Sequence, residues 1–156
     1  MKKYKIIFMV NFILLLSVLL TGCFSDRVYL YEEISDYVLE NIDDLEDLIC
    51  DNDGFDSSVH FDYKEYLGSR TIVKRAFSYT TEIIKFYCGG EGLVTDSKDS
   101  GFYYSENDTS YGMEFDQCPQ TTEENGSVTY HSSDGISFLS TKKICPHWFY
   151  YYMEWH

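Results

Sequence analysis

Basic residues are scarce in this chain: 12 Lys and Arg stand against 26 Asp and Glu in 156 residues, a formal net charge of −14. Lys2, Lys3 and Lys5 lie in the first 22 residues, which hold no carboxylate, so the remainder has nine basic side chains and a net charge of 9 − 26 = −17. Phosphate backbones are bound through Lys and Arg, so this balance excludes nucleic acid as a partner. It favours a cationic protein partner instead, within about one Debye length, ~8 Å at physiological salt. Internal repeats and long low-complexity tracts are absent, and a hydrophobic content of 44% argues against disorder and collagen. After the first 22 residues, 134 remain, enough for one domain burying roughly two-thirds of its unfolded surface.

Catalytic and metal-binding signatures are missing too. No Gly-x-Ser-x-Gly elbow is present. His60, His131, His147 and His156 never recur at the spacing of three or four that places two ligands on one helix face. Asp51-Asn52-Asp53-Gly54-Phe55-Asp56 has the oxygen donors and turn Gly of a calcium loop. Aligning Gly54 with the loop's sixth position, however, puts Ile49 first and His60 twelfth, where carboxylates belong. Gly89-Gly90-Glu91-Gly92 lacks the strand-before, helix-after setting of a phosphate cradle. The sequence therefore predicts no catalytic residue, metal or cofactor, and a protein that is not an enzyme.

The amino terminus carries the most specific signal. Three lysines precede a 15-residue apolar run from Ile6 to Leu20, interrupted only by Asn11 and Ser17. That is short for a spanning helix, which needs ~20 apolar residues, and right for the core of an export signal. Leu20-Thr21-Gly22-Cys23 follows directly, and this arrangement resembles the lipobox of bacterial lipoproteins. The resemblance covers residues 1–23 only. It implies that residues 1–22 are removed and that Cys23 becomes a lipidated, acylated amino terminus on the extracytoplasmic face of a cell membrane. Two or more acyl chains, at ~0.8 kcal/mol per buried CH2, hold a protein stably where one does not. Residues 23–30 are then expected to form a short tether, with about seven residues between Cys23 and the first periodic residue, a reach of ~25 Å.

Cys50, Cys88, Cys118 and Cys145 remain, with no C-x-x-C pair among them. An even number of thiols in an exported chain predicts two disulfides, with three possible pairings. The predicted elements favour Cys50 with Cys88 and Cys118 with Cys145.

Periodicity predicts one α+β domain over residues 31–156, with two amphipathic helices followed by, and packed on, an antiparallel sheet. Apolar residues at helical spacing from Val28 to Cys50 predict the first helix, with its other face lined by Asp and Glu. A second stripe from Ile72 to Tyr87 predicts another helix, capped by Ser69 and stopped by Gly89-Gly90. Between them Val59, Phe61 and Tyr63 suggest a short strand. Further strands are expected at Leu93–Thr95, Gly101–Ser105, Tyr111–Asp116, Ser127–His131, Ile136–Ser140 and Trp148–Trp155, with a hairpin loop at 132–135.

The final strand is apolar on both sides. Phe149, Tyr151, Met153 and Trp155 are expected to face the helices. Trp148, Tyr150 and Tyr152 then form either a second core face under another element or an exposed aromatic binding face. Together these readings predict a membrane-anchored envelope lipoprotein with a non-catalytic, protein-binding domain. The alternatives are an inhibitor or immunity protein against a cationic secreted enzyme, and a cell-envelope enzyme or accessory subunit.

Overall fold

The computed structural model describes residues 27–51, 63–68, 71–93, 96–118 and 120–156. Cys23, the export signal, the turn at 52–56 and the expected strand as far as residue 62 lie outside the described residues. Among the described residues no helix is long and apolar enough to cross a membrane.

The helix expected from Val28 to Cys50 is two helices, α1 (Tyr31–Glu40) and α2 (Ile42–Asp51). Asn41 makes the break. Its side-chain amide donates to the Tyr37 carbonyl at 2.7 Å, and its backbone N–H is shared by the carbonyls of Tyr37 and Val38. A short amide that competes for backbone acceptors disfavours a helix interior. The break also relieves charge crowding. Asp43 and Asp44 would oppose the dipole in the second half of one long helix, but here they open the first turn of α2, where it favours them. At the start of α1, Glu33 accepts from the Leu30 backbone N–H at 3.0 Å, satisfying a donor that precedes the first turn. A third, short helix, α3, spans Tyr63–Leu67, so Tyr63 opens a helical turn where a strand was expected to end.

The second long helix is not formed. Its stretch folds as β1 (Arg75–Ser78) and the first half of β2 (Ile83–Leu93), paired antiparallel with Ala76 opposite Phe86. The reason is double-sided burial: Ile83 and Lys85 point to one side of the sheet, and Ile84, Phe86 and Cys88 to the other. A strand buried on both faces gives a near-continuous apolar run, which meets helical spacing as well as strand spacing.

The remaining strands are β3 (Asp96–Ser105), β4 (Gln120–Thr122), β5 (Val128–His131), β6 (Phe138–Cys145) and β7 (Trp148–Trp155). They complete a seven-stranded antiparallel sheet in the order β1-β2-β3-β7-β6-β5-β4. Two meanders thus meet where β3 pairs with β7, which makes β7 the central strand. The expected hairpin loop closes β5 onto β6, with the Gly135 N–H donating to the Ser132 carbonyl at 2.9 Å. The expected strand at Tyr111–Asp116 is instead part of the crossover from β3 to β4, and Met113–Phe115 form one 3-10 turn.

Each sheet face carries its own core. On one, Ile34, Val38, Leu45 and Leu48 of α1 and α2 share a buried cluster with Phe86, Cys88, Phe102 and Trp148. Phe86 and Phe102 stack with centroids 4.7 Å apart. On the other, Met113 and Phe115 of the crossover join Tyr103, Tyr130, Leu139, Phe149, Tyr151 and Met153. The α+β class therefore holds, with helices on one face of the sheet and an irregular crossover on the other.

Candidate functional site

The aromatic residues of β7 do not form an exposed binding face. Trp148 is fully buried, with its ring centroid 5.8 Å from Phe86 and 5.9 Å from Phe102. The faces are also exchanged: α1 and α2 cover the Trp148 side, and the crossover covers Phe149, Tyr151 and Met153. Tyr150 is half-buried and donates its hydroxyl to the Tyr29 carbonyl at 3.3 Å, and burial pushes its pKa up to about 12. Tyr152, also half-buried, donates to Glu154 at 2.6 Å. A central strand requires both faces to be apolar, which accounts for the whole pattern.

The geometry opposes both favoured pairings of the four cysteines. Cys50 borders a groove with Glu46, Tyr104 and His147. Tyr104 pairs with Ile84, and Cys88 lies four residues further along β2, roughly 13 Å at ~3.3 Å per residue. Cys118 packs on the crossover side and Cys145 on the helix side, so the sheet separates them.

Part of the expected tether is built into the domain. Residues 27–30 cross the helix-side face as a strap, with the Tyr29 N–H donating to Ser100 Oγ at 2.8 Å and Ser100 in turn donating to the Gly89 carbonyl at 3.3 Å. Beyond it, the Tyr31 hydroxyl donates to the Lys143 carbonyl at 3.1 Å.

A strongly acidic surface lies on the outer side of α1 and α2. Glu32, Asp36, Glu40, Asp43, Asp44, Glu46 and Asp47 are all exposed there, and the sequence from Val28 to Asp51 contains no Lys, Arg or His. Among the described residues none of these seven carboxylates forms an ion pair, whereas Glu33 pairs with Arg27 at 2.8 Å. Leu39 stands 52% exposed among them, an apolar contact point within the acidic field. The helical period puts the carboxylates outward because Ile34, Val38, Leu45 and Leu48 are committed to the core.

Two histidines take defined partners. His156 lies 3.1 Å from both Asp96 and Glu154. His147, in the turn before β7, donates its backbone N–H to Asp108 at 2.6 Å, and its ring stacks on Tyr104. His131, at the end of β5, stands 6.2 Å from Phe138 between ring centroids. Among the described residues no group of three or more His, Cys, Asp and Glu side chains is arranged to hold a metal ion. A further polar group, Arg75, Lys85 and Asp99, meets on the crossover side of β1, β2 and β3. Reading 72–87 as a helix concealed it. The signal was a lysine alternating with Ile83 and Tyr87 in a β-branched and aromatic run.

No protein-family model, curated protein or solved structure matches this chain.

Proposed function

We propose that this chain is a cell-envelope lipoprotein, anchored through lipid on Cys23, whose non-catalytic domain binds a cationic protein with the outer face of α1 and α2. The observation that carries this reading is the exposed row of carboxylates on those helices around Leu39, none of them ion-paired among the described residues. Like charges held close together repel one another, and a basic partner relieves that repulsion while the field speeds encounter. Should the partner be a secreted basic enzyme, the domain would act as its inhibitor or immunity protein.

The test is affinity capture by the lipidated full chain from its own envelope. The comparison is a variant carrying Asp43→Asn, Asp44→Asn, Glu46→Gln and Asp47→Asn, which are exposed positions. A basic protein should be retained at ~0.1 M salt and released towards ~1 M, where the Debye length falls from ~10 to ~3 Å. The neutralised variant should lose it. Capture that is indifferent to both changes overturns the reading, and membrane retention of a Cys23→Ser variant overturns the anchor.

A further inference from the structure

Lys85 is the most unusual side chain in the domain. It sits mid-strand in β2, between Phe77 of β1 and Tyr103 of β3, and only 8% of it is exposed. Its ammonium lies 4.7 Å from the ring centroid of Tyr151 and 5.7 Å from that of Tyr79. Among the described residues it has no hydrogen-bond acceptor and no ion pair. A buried charge without a partner carries a desolvation cost that ring faces offset only in part. Accordingly, burial pulls the Lys85 ammonium below its ordinary range, against the opposing pull of Glu114 and Asp99.

The ammonium opens into a cleft of about 160 Å³ lined by Arg75, Phe77, Lys85, Tyr87 and Asp99. Arg75 is held over the Tyr87 ring at 4.9 Å. Gly101, between Tyr87 and Tyr151 in register, keeps the floor low: a Cβ there would come 2.8 Å from the Tyr151 ring and hydroxyl. That hydroxyl is itself buried and has no hydrogen-bond partner among the described residues. Asp99 is half-buried. Burial raises its carboxyl while Lys85 and Arg75 lower it, yet neither cation is in contact with it. The cleft thus brings two basic side chains and one carboxylate into one lining beside aromatic rings, with no ion pair among the three.

We propose that this cleft binds a small carboxylate bearing a hydrogen-bond donor on the adjacent carbon, an α-amino or α-hydroxy acid. Lys85 and Arg75 hold the carboxylate through charge-assisted bonds, and Asp99 accepts from the amine or hydroxyl. The cleft has room for the head group of such a molecule. The site lies across the sheet from α1 and α2, and it stands or falls independently of the helical face.

The test uses the full chain, titrated calorimetrically with L-alanine, L-lactate, acetate and methylammonium. Alanine or lactate should bind with a Kd of about 1 mM or tighter. Acetate, which gives Asp99 nothing to accept, should bind at least ~10-fold more weakly, and methylammonium should not bind. Arg75→Gln alters an exposed residue and leaves the core intact, and Lys85→Met keeps the stem between the rings. Each should weaken binding ~10-fold or more, and Arg75→Gln alone decides the matter if Lys85→Met fails to fold. Absence of saturable binding by both acids, acetate binding as tightly as they do, or binding unchanged in Arg75→Gln overturns the proposal.

Discussion

Gly89 lies directly beneath the backbone carbonyl of Arg27, so close that a Cβ on Gly89 would stand 2.3 Å from that oxygen. The glycine expected to stop a helix is therefore a seat in β2 for the strap that leads into α1. Gly89→Ala should lift the strap and cost ~1–3 kcal/mol, as overpacking does. Ser100→Ala removes the acceptor of the Tyr29 N–H and should cost a similar ~1–3 kcal/mol. Because both changes release the same segment, the double variant should lose less than the sum. Urea unfolding measures all three, and strict additivity would show that the two residues do not share the strap.

How far the fold was legible follows from this kind of double duty. α1 and α2 were readable because only one stripe, Ile34, Val38, Leu45 and Leu48, is buried and charge fills the rest. β5 and β6 were readable from alternation and the turn at Ser132–Gly135, and β7 from its dense run of aromatic residues. β2 was not, since burial on both faces erased its alternation. The break at Asn41 has a local cause visible in the sequence, but its strength depends on geometry. The covering of the Phe149 face was hidden for another reason. Met113 and Phe115 come from an irregular crossover, and no periodic pattern announces such a segment. The acidic helical face was legible residue by residue, whereas the Lys85 cleft needed the pairing of β1, β2 and β3.

Trp148 and Tyr152 separate scaffold from surface on one strand. Trp148→Ala should cost ~3–5 kcal/mol, the range for truncating a buried aromatic. Tyr152→Phe removes only a hydroxyl bonded to Glu154 at a half-exposed site, and should cost about 1 kcal/mol or less. Thermal unfolding of the two variants gives the comparison. A Trp148→Ala protein as stable as the parent would mean that β7 is not the centre of the sheet.

The cysteines should divide by position. Cys88 is fully buried and burial alone pushes its thiol far up, so it should resist alkylation until the domain unfolds. Cys50 is exposed and should react in the native state. Cys145 pairs with Trp148, the neighbour of Tyr104, on the same side and at the same end of the sheet as Cys50. If oxidising conditions close a bridge, it should join Cys50 to Cys145. Peptide mapping without reductant is the measurement, and a peptide linking Cys88 to any other thiol contradicts this arrangement.

Alkali should unfold this domain through its tyrosines. Burial pushes Tyr79 and Tyr150 up to about 12 from an ordinary value of 10.0, with neighbouring carboxylates, Glu114 for Tyr79 and Glu32 for Tyr150, adding to the effect. Tyr103 and Tyr151 are raised as well, again by burial first. In the unfolded chain these phenols ionise near ~10. The native state therefore keeps protons that the unfolded state loses, and stability must fall as pH rises once the unfolded phenols begin to ionise. Below pH 10 both states hold the phenols neutral and this contribution is fully present. Between 10 and about 12 it is progressively lost. Urea midpoints measured across that window should decline steeply, and ultraviolet titration should show a class of tyrosines that ionises only as the sheet unfolds. Tyr150→Phe, which cannot ionise and loses only its bond to the Tyr29 carbonyl, should start lower by about 1 kcal/mol and decline less steeply. A variant whose midpoint falls in parallel with the parent would remove Tyr150 from the cause.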